Sequence, residues 1–282
     1  MTVQPSACSA DCGLARRLAD QAGALLRSFR DGFAPPGSGN AHGVRALRDA
    51  ADAAAQEFLA AQLAEARPDD AVLSEEAADS AARDAAERVW IIDPLDGTYE
   101  YGSGRSDWAV HVALWERTKG RADGGELTAA AISLPDEGLV FCTDLPAPLP
   151  AAATGRPLRI VASRSRPPAG LDAVADAMAS TWAELGGPPS AEVVQVGSAG
   201  AKVARLLAGR AEVYLHDSGF YEWDVAAPLA VARAAGLHAG HLDGSQVMFN
   251  QRPPYVANLA VCRPELVEAL AHAVRHLRPR GS

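Results

Sequence analysis

Val89-Trp-Ile-Ile-Asp-Pro-Leu-Asp-Gly-Thr98 is the most informative stretch of the chain. Its first four residues are β-branched or aromatic with no polar interruption, the pattern of a strand covered on both faces. Pro94 has no N–H for a ladder, so the strand is expected to deliver Asp93 at its carboxyl end and stop. Asp96 follows three residues later, and both carboxylates can turn to the same side of a tight turn. Gly97 lets backbone approach a ligand closely, and Thr98 adds a hydroxyl. If a helix begins here, its first N–H groups are aimed at an anion such as phosphate. Two aspartates and a backbone carbonyl also suit a hard, oxygen-seeking cation such as Mg²⁺. An ordinary Asp-Pro and Asp-Gly turn would use the same residues, so this stretch alone leaves two readings open.

Working outward, Ala71-Val-Leu-Ser-Glu75 is a short extended stretch whose end, Ser74-Glu75-Glu76, offers further acidic ligands. Upstream, Leu14, Leu18, Leu25, Leu26 and Phe29 fall near one face of a helix over 14–30. The segment from Phe33 to Gly43, rich in Pro, Gly, Ser and Asn, reads as a loop. A second helix is expected from about Asp49 to Ala66, ended by Pro68. Downstream, strand-like runs at 108–115, 127–134 and 138–142 suggest an antiparallel meander. The Pro- and Ala-rich run Pro146–Pro157 is the best internal boundary, giving expected domains at 1–155 and 156–282. Beyond it, strands at 158–163, 192–197, 211–215 and 258–262 alternate with helices at 169–184, 200–208, 224–236 and 264–277. This alternation predicts an α/β second half, and helices on a mostly antiparallel sheet for the first, stacked as a layered α+β sandwich.

The chain has 282 residues, 48% of them hydrophobic, enough for a full apolar core. No apolar run approaches the roughly 18 to 20 residues that span a bilayer. The first residues, MTVQPSACSADCGLARRLAD, lack a basic stretch followed by an apolar one, so no secretory leader is expected and a cytoplasmic location is the default. A formal net charge of −9 with scattered arginines argues against a nucleic-acid polymer as partner. An anionic small molecule remains compatible with it, because bound divalent cations reverse the local field. Cys8, Cys12, Cys142 and Cys262 form no CxxC pair and read as idle or buried thiols.

In the second half, Trp223-Asp224 opens a strongly apolar helix, Val225-Ala-Ala-Pro-Leu-Ala-Val, where Asp224 is either the helix N-cap or a metal ligand. DPLDGT, with SEE upstream and WDxAAP downstream, resembles the inositol monophosphatase superfamily of lithium-sensitive, Mg²⁺-dependent phosphomonoesterases. The order and separations match over nearly the whole chain. The runs VWIIDPLDGTYEY and DWAVHVALWE most resemble bacterial 3'(2'),5'-bisphosphate nucleotidases, the 3'-phosphoadenosine-5'-phosphate phosphatases. The resemblance implies that Glu75 and Asp93, with the carbonyl of Leu95, bind one Mg²⁺, and that Asp93, Asp96 and Asp224 bind a second. A third, weaker ion would sit beside Glu75. It also implies an upstream Asp that pairs with Thr98 to orient the attacking water. Asp52, 23 residues before Glu75, has the matching separation, with Asp49 one turn away as the alternative. Backbone at Gly97 and Thr98 would complete the phosphate cradle.

Substrate choice is expected to come from the second half. Gly197-Ser-Ala-Gly-Ala-Lys202 lies at a strand-to-helix junction, a natural anion site, but it lacks the GK[ST] of a P-loop and the GxSxG of a nucleophile elbow. By resemblance to the bisphosphate nucleotidases, Ser198 and Lys202 contact a second substrate phosphate; the plain alternative is a solvated lysine at a helix start. His216, Gly219, Tyr221 and Glu222 are expected to line the substrate side, with Tyr221 either under a base or sugar or simply packed. His238-x-x-His241 reads as incidental, and Ser163-Arg164 as a structural turn. The resulting expectation is hydrolysis of a small phosphorylated metabolite, first a 3',5'-bisphosphate nucleotide, alternatively inositol 1-phosphate, fructose 1,6-bisphosphate or a pathway-specific intermediate. A catalytically idle binding relative is the non-enzyme alternative, and a homodimer is expected from the relatives.

Overall fold

The computed structural model of the chain describes residues 7–33, 41–120, 124–146 and 148–277. Two long helices, α1 (Ala7–Gly32) and α2 (Ala41–Ala66), lead into β1 (Ala71–Ser74) and β2 (Arg88–Asp96). A one-turn helix, α3 (Thr98–Gly102), precedes the meander β3 (Ala109–Arg117), β4 (Gly125–Leu134) and β5 (Leu139–Cys142). The second half continues β6 (Leu158–Ser163), α4 (Leu171–Glu184), β7 (Ala191–Val196), α5 (Ala199–Leu207), β8 (Val213–His216) and β9 (Phe220–Tyr221). It ends with α6 (Glu222–Ala234), β10 (His238–Gly240), β11 (Tyr255–Val256), β12 (Leu259–Cys262) and α7 (Val267–Ala273).

One five-stranded sheet runs β1-β2-β3-β4-β5, with β1 parallel to β2 and every other pair antiparallel. A second sheet runs β10-β12-β8-β6-β7, parallel across β8, β6 and β7. The helices fill three layers around them. Leu18, Leu26, Leu59 and Leu63 of α1 and α2 pack on Trp90, Ile92, Val110 and Val112 at the outer face of the first sheet. On its inner face Val89, Ile91, Ala109 and Ala113 meet Val203, Leu206, Val225 and Leu229 of α5 and α6, which also cover Val161, Tyr214 and Val261 of the second sheet. The last layer sets Val174, Met178 and Trp182 of α4 beside Leu266 and Leu270 near α7. The fold is therefore a layered α+β sandwich, helix–sheet–helix–sheet–helix. Residues 89–92 lack polar alternation because β2 is covered from both sides, with Val89 and Ile91 facing one helix layer and Trp90 and Ile92 the other.

Some boundaries differ from those read in the sequence. β2 does not stop at Asp93 but continues to Asp96, its pairing with β3 interrupted between the two aspartates; Pro94 falls in that irregularity, where no ladder N–H is required. α6 starts at Glu222 with Tyr221 as its N-cap, so Asp224 is the third residue of the helix and not its cap. The helix expected over 264–277 is α7 flanked by single 3₁₀ turns. α1 and α2 each begin earlier than expected, and most of the loop read at Phe33–Gly43 lies outside the described residues, with 41–43 already helical. Among the described residues no helix is long and apolar enough to cross a membrane. Cys12, Cys142 and Cys262 are buried thiols in no disulfide; the Cys8 side chain lies outside the described set.

Candidate active site

The carboxyl end of β1 and the irregular end of β2 lie side by side because the two strands are parallel, with Ser74 opposite Ile92. Glu75 therefore emerges next to Asp93. The Ser74 hydroxyl donates to Gln56 Oε1 of α2 at 2.7 Å, which seats the strand end against the helix. Asp52, one helical turn before Gln56, lies within electrostatic reach of Glu75 and Glu76. Burial, then the charges of Glu76 and Asp49, raise its pKa to about 7. Asp49 itself is on the surface, 3.8 Å from Arg45.

Asp93 is fully buried. Its Oδ1 accepts the Leu95 N–H at 3.0 Å, while among the described residues no N–H or hydroxyl group donates to its Oδ2. Glu75 stands close enough for the two carboxyls to share a proton, and Asp96 and Asp224 complete a ring of like charges around Asp93. Burial first, then mutual repulsion, raises Asp93 well above the ordinary carboxylate range, Glu75 to about 7 and Asp224 to about 8. Asp224 is held by the Tyr221 N–H, which donates to its Oδ2 at 2.7 Å and closes the first turn of α6. Thr98 donates its hydroxyl to the Leu95 carbonyl at 3.2 Å, so it is turned toward the β2 end and not bonded to Asp52.

A residue given no role in the sequence reading completes the cluster. His111 lies mid-β3 on the inner face, between Ala109 and Ala113, and is wholly buried. Its Nε2 is 3.3 Å from Asp96 Oδ2 without being aligned for a hydrogen bond, and its Nδ1 is 3.3 Å from the Trp223 carbonyl. Burial lowers its pKa against the pull of Asp96, which favours the neutral ring. A lone histidine inside the apolar run AVHVALW was the available signal.

The loop 197–202 closes over these groups with its amides already engaged. Gly197 N–H donates to Asp107 Oδ2 at 2.7 Å, Ser198 N–H to the Asp107 carbonyl at 3.1 Å, and Gly200 N–H to Asp96 Oδ2 at 3.1 Å. Ser198 caps α5, accepting the Ala201 N–H at 2.8 Å. The expected anion cradle here is thus occupied by the protein's own carboxylates. Gly97, at φ 89°, sits under this loop; a Cβ there would lie 3.2 Å from Ser198 Cβ and 3.3 Å from Trp108, so both its backbone and its packing favour glycine. Lys202 does not reach outward as expected. It is 2% exposed, its ammonium donates to the carbonyls of Gly197 and Ser198, and burial lowers its pKa to about 8. Arg164, just after β6, links the halves: it donates to Glu100 of α3 at 2.6 Å and to Asp107 at 2.5 Å.

Tyr221 is half exposed beside Asp224 and stacks on Trp223 with ring centroids 4.7 Å apart. Glu222 departs from its expected place at the substrate side: it is completely buried and accepts two backbone N–H groups from residues 250 and 251. His216 is also buried, stacked on Phe220. His238 and His241 lie outside the carboxylate cluster, His241 Nδ1 being 3.1 Å from the Asn258 carbonyl.

Buried, mutually repelling carboxylates that receive so few donors are costly without a compensating cation. Asp93, Asp96 and His111 bring ligand atoms within 4.8 Å of one another, and Glu75 and Asp224 border them. The donor set fits a divalent metal, and oxygen ligands dominate it.

The chain matches the inositol monophosphatase family over residues 12–141 and 159–278. It is 44% identical over 275 residues to a 3'-phosphoadenosine 5'-phosphate phosphatase of Mycobacterium leprae, covering 95% of this chain and 94% of the relative. A protein of the same name from Mycobacterium tuberculosis is 44% identical over 232 residues, covering 81% and 82%. Among solved structures, the extragenic suppressor protein suhB from Bartonella henselae superposes with a TM-score of 0.70 at 20% identity, covering 95% of this chain and all of that one, a likeness of fold. Sequence match, fold and carboxylate cluster agree, and the chain belongs to the inositol monophosphatase family of phosphatases.

Proposed function

We propose that the chain removes the 3'-phosphate from a 3',5'-bisphosphate nucleotide such as 3'-phosphoadenosine 5'-phosphate, using two or three Mg²⁺ ions. The observation that carries the metal reading is Asp93, whose buried Oδ2 is surrounded by carboxylates and, among the described residues, receives no N–H or hydroxyl donor. The substrate class is supported by relatives of that activity at 44% identity across almost the full chain.

Glu75, Asp93, Asp96, Asp224 and the Leu95 carbonyl would hold the ions. Bound there, Mg²⁺ supplies charge neutralisation for the phosphoryl and leaving oxygens and acidifies a water. The chain's own residues do the rest. Asp52, with its pKa near neutrality, is suited to accept the proton of an attacking water. The Thr98 oxygen, whose proton goes to Leu95, keeps lone pairs for that same water. Gly97 removes side-chain bulk where the phosphate would meet the backbone. Tyr221 offers an exposed aromatic face next to Asp224 for a base or sugar. Ser198 and Lys202 act through the shape of the 197–202 loop, which pins Asp96 from above. Lithium inhibition and a cytoplasmic location belong to the same reading.

A phosphate-release panel tests it: 3'-phosphoadenosine 5'-phosphate, inositol 1-phosphate, fructose 1,6-bisphosphate and AMP, each with Mg²⁺ and with EDTA. The bisphosphate nucleotide should give the highest kcat/KM, abolished by EDTA. Preference for inositol 1-phosphate would reject the nucleotide assignment while keeping the chemistry. EDTA-resistant turnover would reject the metal assignment.

A further inference from the structure

At the start of α6 lies a second polar assembly, with Arg83 and Glu222 both 0% exposed. Arg83 belongs to the β1–β2 connection that starts with Glu75, and Glu222 is the first residue of α6, two before Asp224. They do not bond each other directly. Instead they grip the same two residues of the 249–254 turn from opposite sides. Arg83 Nη1 donates to Asn250 Oδ1 at 2.6 Å and Nη2 to the Gln251 carbonyl at 2.8 Å. Glu222 accepts the Asn250 N–H at 2.6 Å on one oxygen and the Gln251 N–H at 2.7 Å on the other. Asp79 completes Arg83, accepting from Nε at 2.6 Å and Nη2 at 2.9 Å. Asn250 adopts φ 60°, a left-handed conformation that asparagine tolerates better than most residues. The Glu222 N–H is also spoken for, donating to the Pro254 carbonyl at 2.9 Å.

We infer that Arg83 and Glu222 are positioning residues that set the spacing between Glu75 and Asp224 through the shared Asn250–Gln251 peptide. Glu75 and Asp224 come from segments far apart in sequence, and as like charges they push those segments apart. A buried arginine and a buried glutamate are tolerable only when fully paired, which makes their geometry stiff. A stiff link between the two segments spares the incoming cation the work of drawing them together, so affinity rises by preorganisation. Neither residue touches substrate. The inference rests on the reading of Glu75 and Asp224 as metal ligands.

The test is calorimetric titration of Ca²⁺ and Mg²⁺ into the full chain at low temperature, with melting in EDTA recorded alongside. Asn250→Gly keeps the left-handed backbone and both N–H donors and deletes only the side-chain bonds to Arg83. Glu222→Gln keeps the shape but turns one of two acceptors into a donor facing an N–H. Each should weaken metal binding about tenfold or more, as loss of groups that orient metal ligands does. The Mg²⁺ concentration for half-maximal turnover should rise in parallel, with substrate KM at saturating Mg²⁺ within about twofold of wild type. Arg252→Ala is the control. It removes outer bonds to Asp84, Asp79 and the Ser80 carbonyl at 2.7 to 3.0 Å, and should leave metal affinity within about twofold. Wild-type affinity in both Asn250→Gly and Glu222→Gln, whatever their melting temperatures, overturns the inference. A wild-type chain that binds neither ion overturns the metal reading itself.

Discussion

His111 Nε2 stands 3.3 Å from Asp96 Oδ2 at the centre of the first sheet's inner face, in a place where the neighbouring positions 109 and 113 are both alanine. With its Nδ1 proton donated to the Trp223 carbonyl, a neutral ring turns the Nε2 lone pair toward the Asp96 carboxylate. Two lone-pair groups so placed are brought to rest by a cation between or beside them. His111 thereby ties β3, the β2 end and the first turn of α6 to one point. His111→Phe should fold but bind Mg²⁺ about 10- to 100-fold more weakly, the range for lost ligands' supports. Calorimetry reads this directly, and ¹⁵N NMR of the ring should show the Nδ1–H tautomer in the metal-free chain. Unchanged Mg²⁺ affinity would remove His111 from the site.

Asp93→Asn separates folding from function. The wild-type carboxylate is buried among Glu75, Asp96 and Asp224, so neutralising it relieves repulsion in the metal-free chain. The variant should melt higher than wild type in EDTA, yet lose the stabilisation that Mg²⁺ gives. A metal contribution of several kcal/mol to transition-state charge corresponds to a fall in turnover on the order of a thousandfold. Wild-type turnover, or a lower melting point in EDTA, would contradict the assignment.

The same repulsion gives a pH signature. Glu75 and Asp224, at about 7 and about 8, are raised above their ordinary values by burial and by neighbouring carboxylates. Between the ordinary carboxylate range and pH 8 the folded metal-free chain binds more protons than the unfolded chain. Its stability is therefore full at the acid end of that window and declines as pH rises through it. Mg²⁺ replaces the protons, so the rise in Tm on adding Mg²⁺ should be small at acid pH and grow steadily toward pH 8. A Mg²⁺ shift in Tm that is constant across this window would exclude the carboxylate cluster as its source.

Much of this was legible in the sequence for local reasons. DPLDGT announces itself because Pro, Gly and two Asp residues make a turn with a strand in front of it, and parallel pairing of β1 with β2 then places Glu75 beside Asp93. The alternating second half gave a layered sheet by period alone. Arg83 and Asn250 were not legible, since they meet across 167 positions and nothing local in either segment points to the other. The Asp224 segment was misread by two residues for a similar reason: an Asp before an apolar run looks like a cap, but Tyr221 holds that position and Asp224 bonds back to it. His111 was readable in principle, because strand alternation puts it on the face of Ala109 and Ala113.

Arg164 should matter to stability more than its surface position suggests. It joins Glu100 and Asp107, and Asp107 in turn receives the Gly197 N–H, so one guanidinium connects α3, the start of β3 and the loop before α5. Burial alone would raise the Asp107 pKa, but Arg164 and that N–H outweigh it and hold the group below its usual value. Arg164→Met leaves Glu100 without its cation and Asp107 with only the Gly197 N–H and Arg105. The cost should be roughly 3 kcal/mol, the low end for a broken buried pair because Arg164 keeps 23% of its side chain exposed. Urea unfolding measures it, and a loss under about 0.5 kcal/mol would place this link among ordinary surface ion pairs.

Lys202 offers the sharpest choice between a direct and an indirect role. In the structure its ammonium is buried, bonded to the Gly197 and Ser198 carbonyls, and 5.4 Å from the centre of the Tyr214 ring. From there it fixes the loop whose Gly200 N–H holds Asp96. Lys202→Met keeps the apolar stem and removes the three donors, leaving the Gly197 carbonyl short of a partner while the Ser198 carbonyl keeps the residue-202 N–H. Turnover of a bisphosphate and of a monophosphate should then fall by the same factor, within about twofold, because the lesion is in the loop and not at a second phosphate. The chain should also melt several degrees lower, since a buried acceptor left unmade costs about 1 to 3 kcal/mol. A selective rise in KM for the bisphosphate, with the melting temperature unchanged, would instead put the ammonium on the substrate.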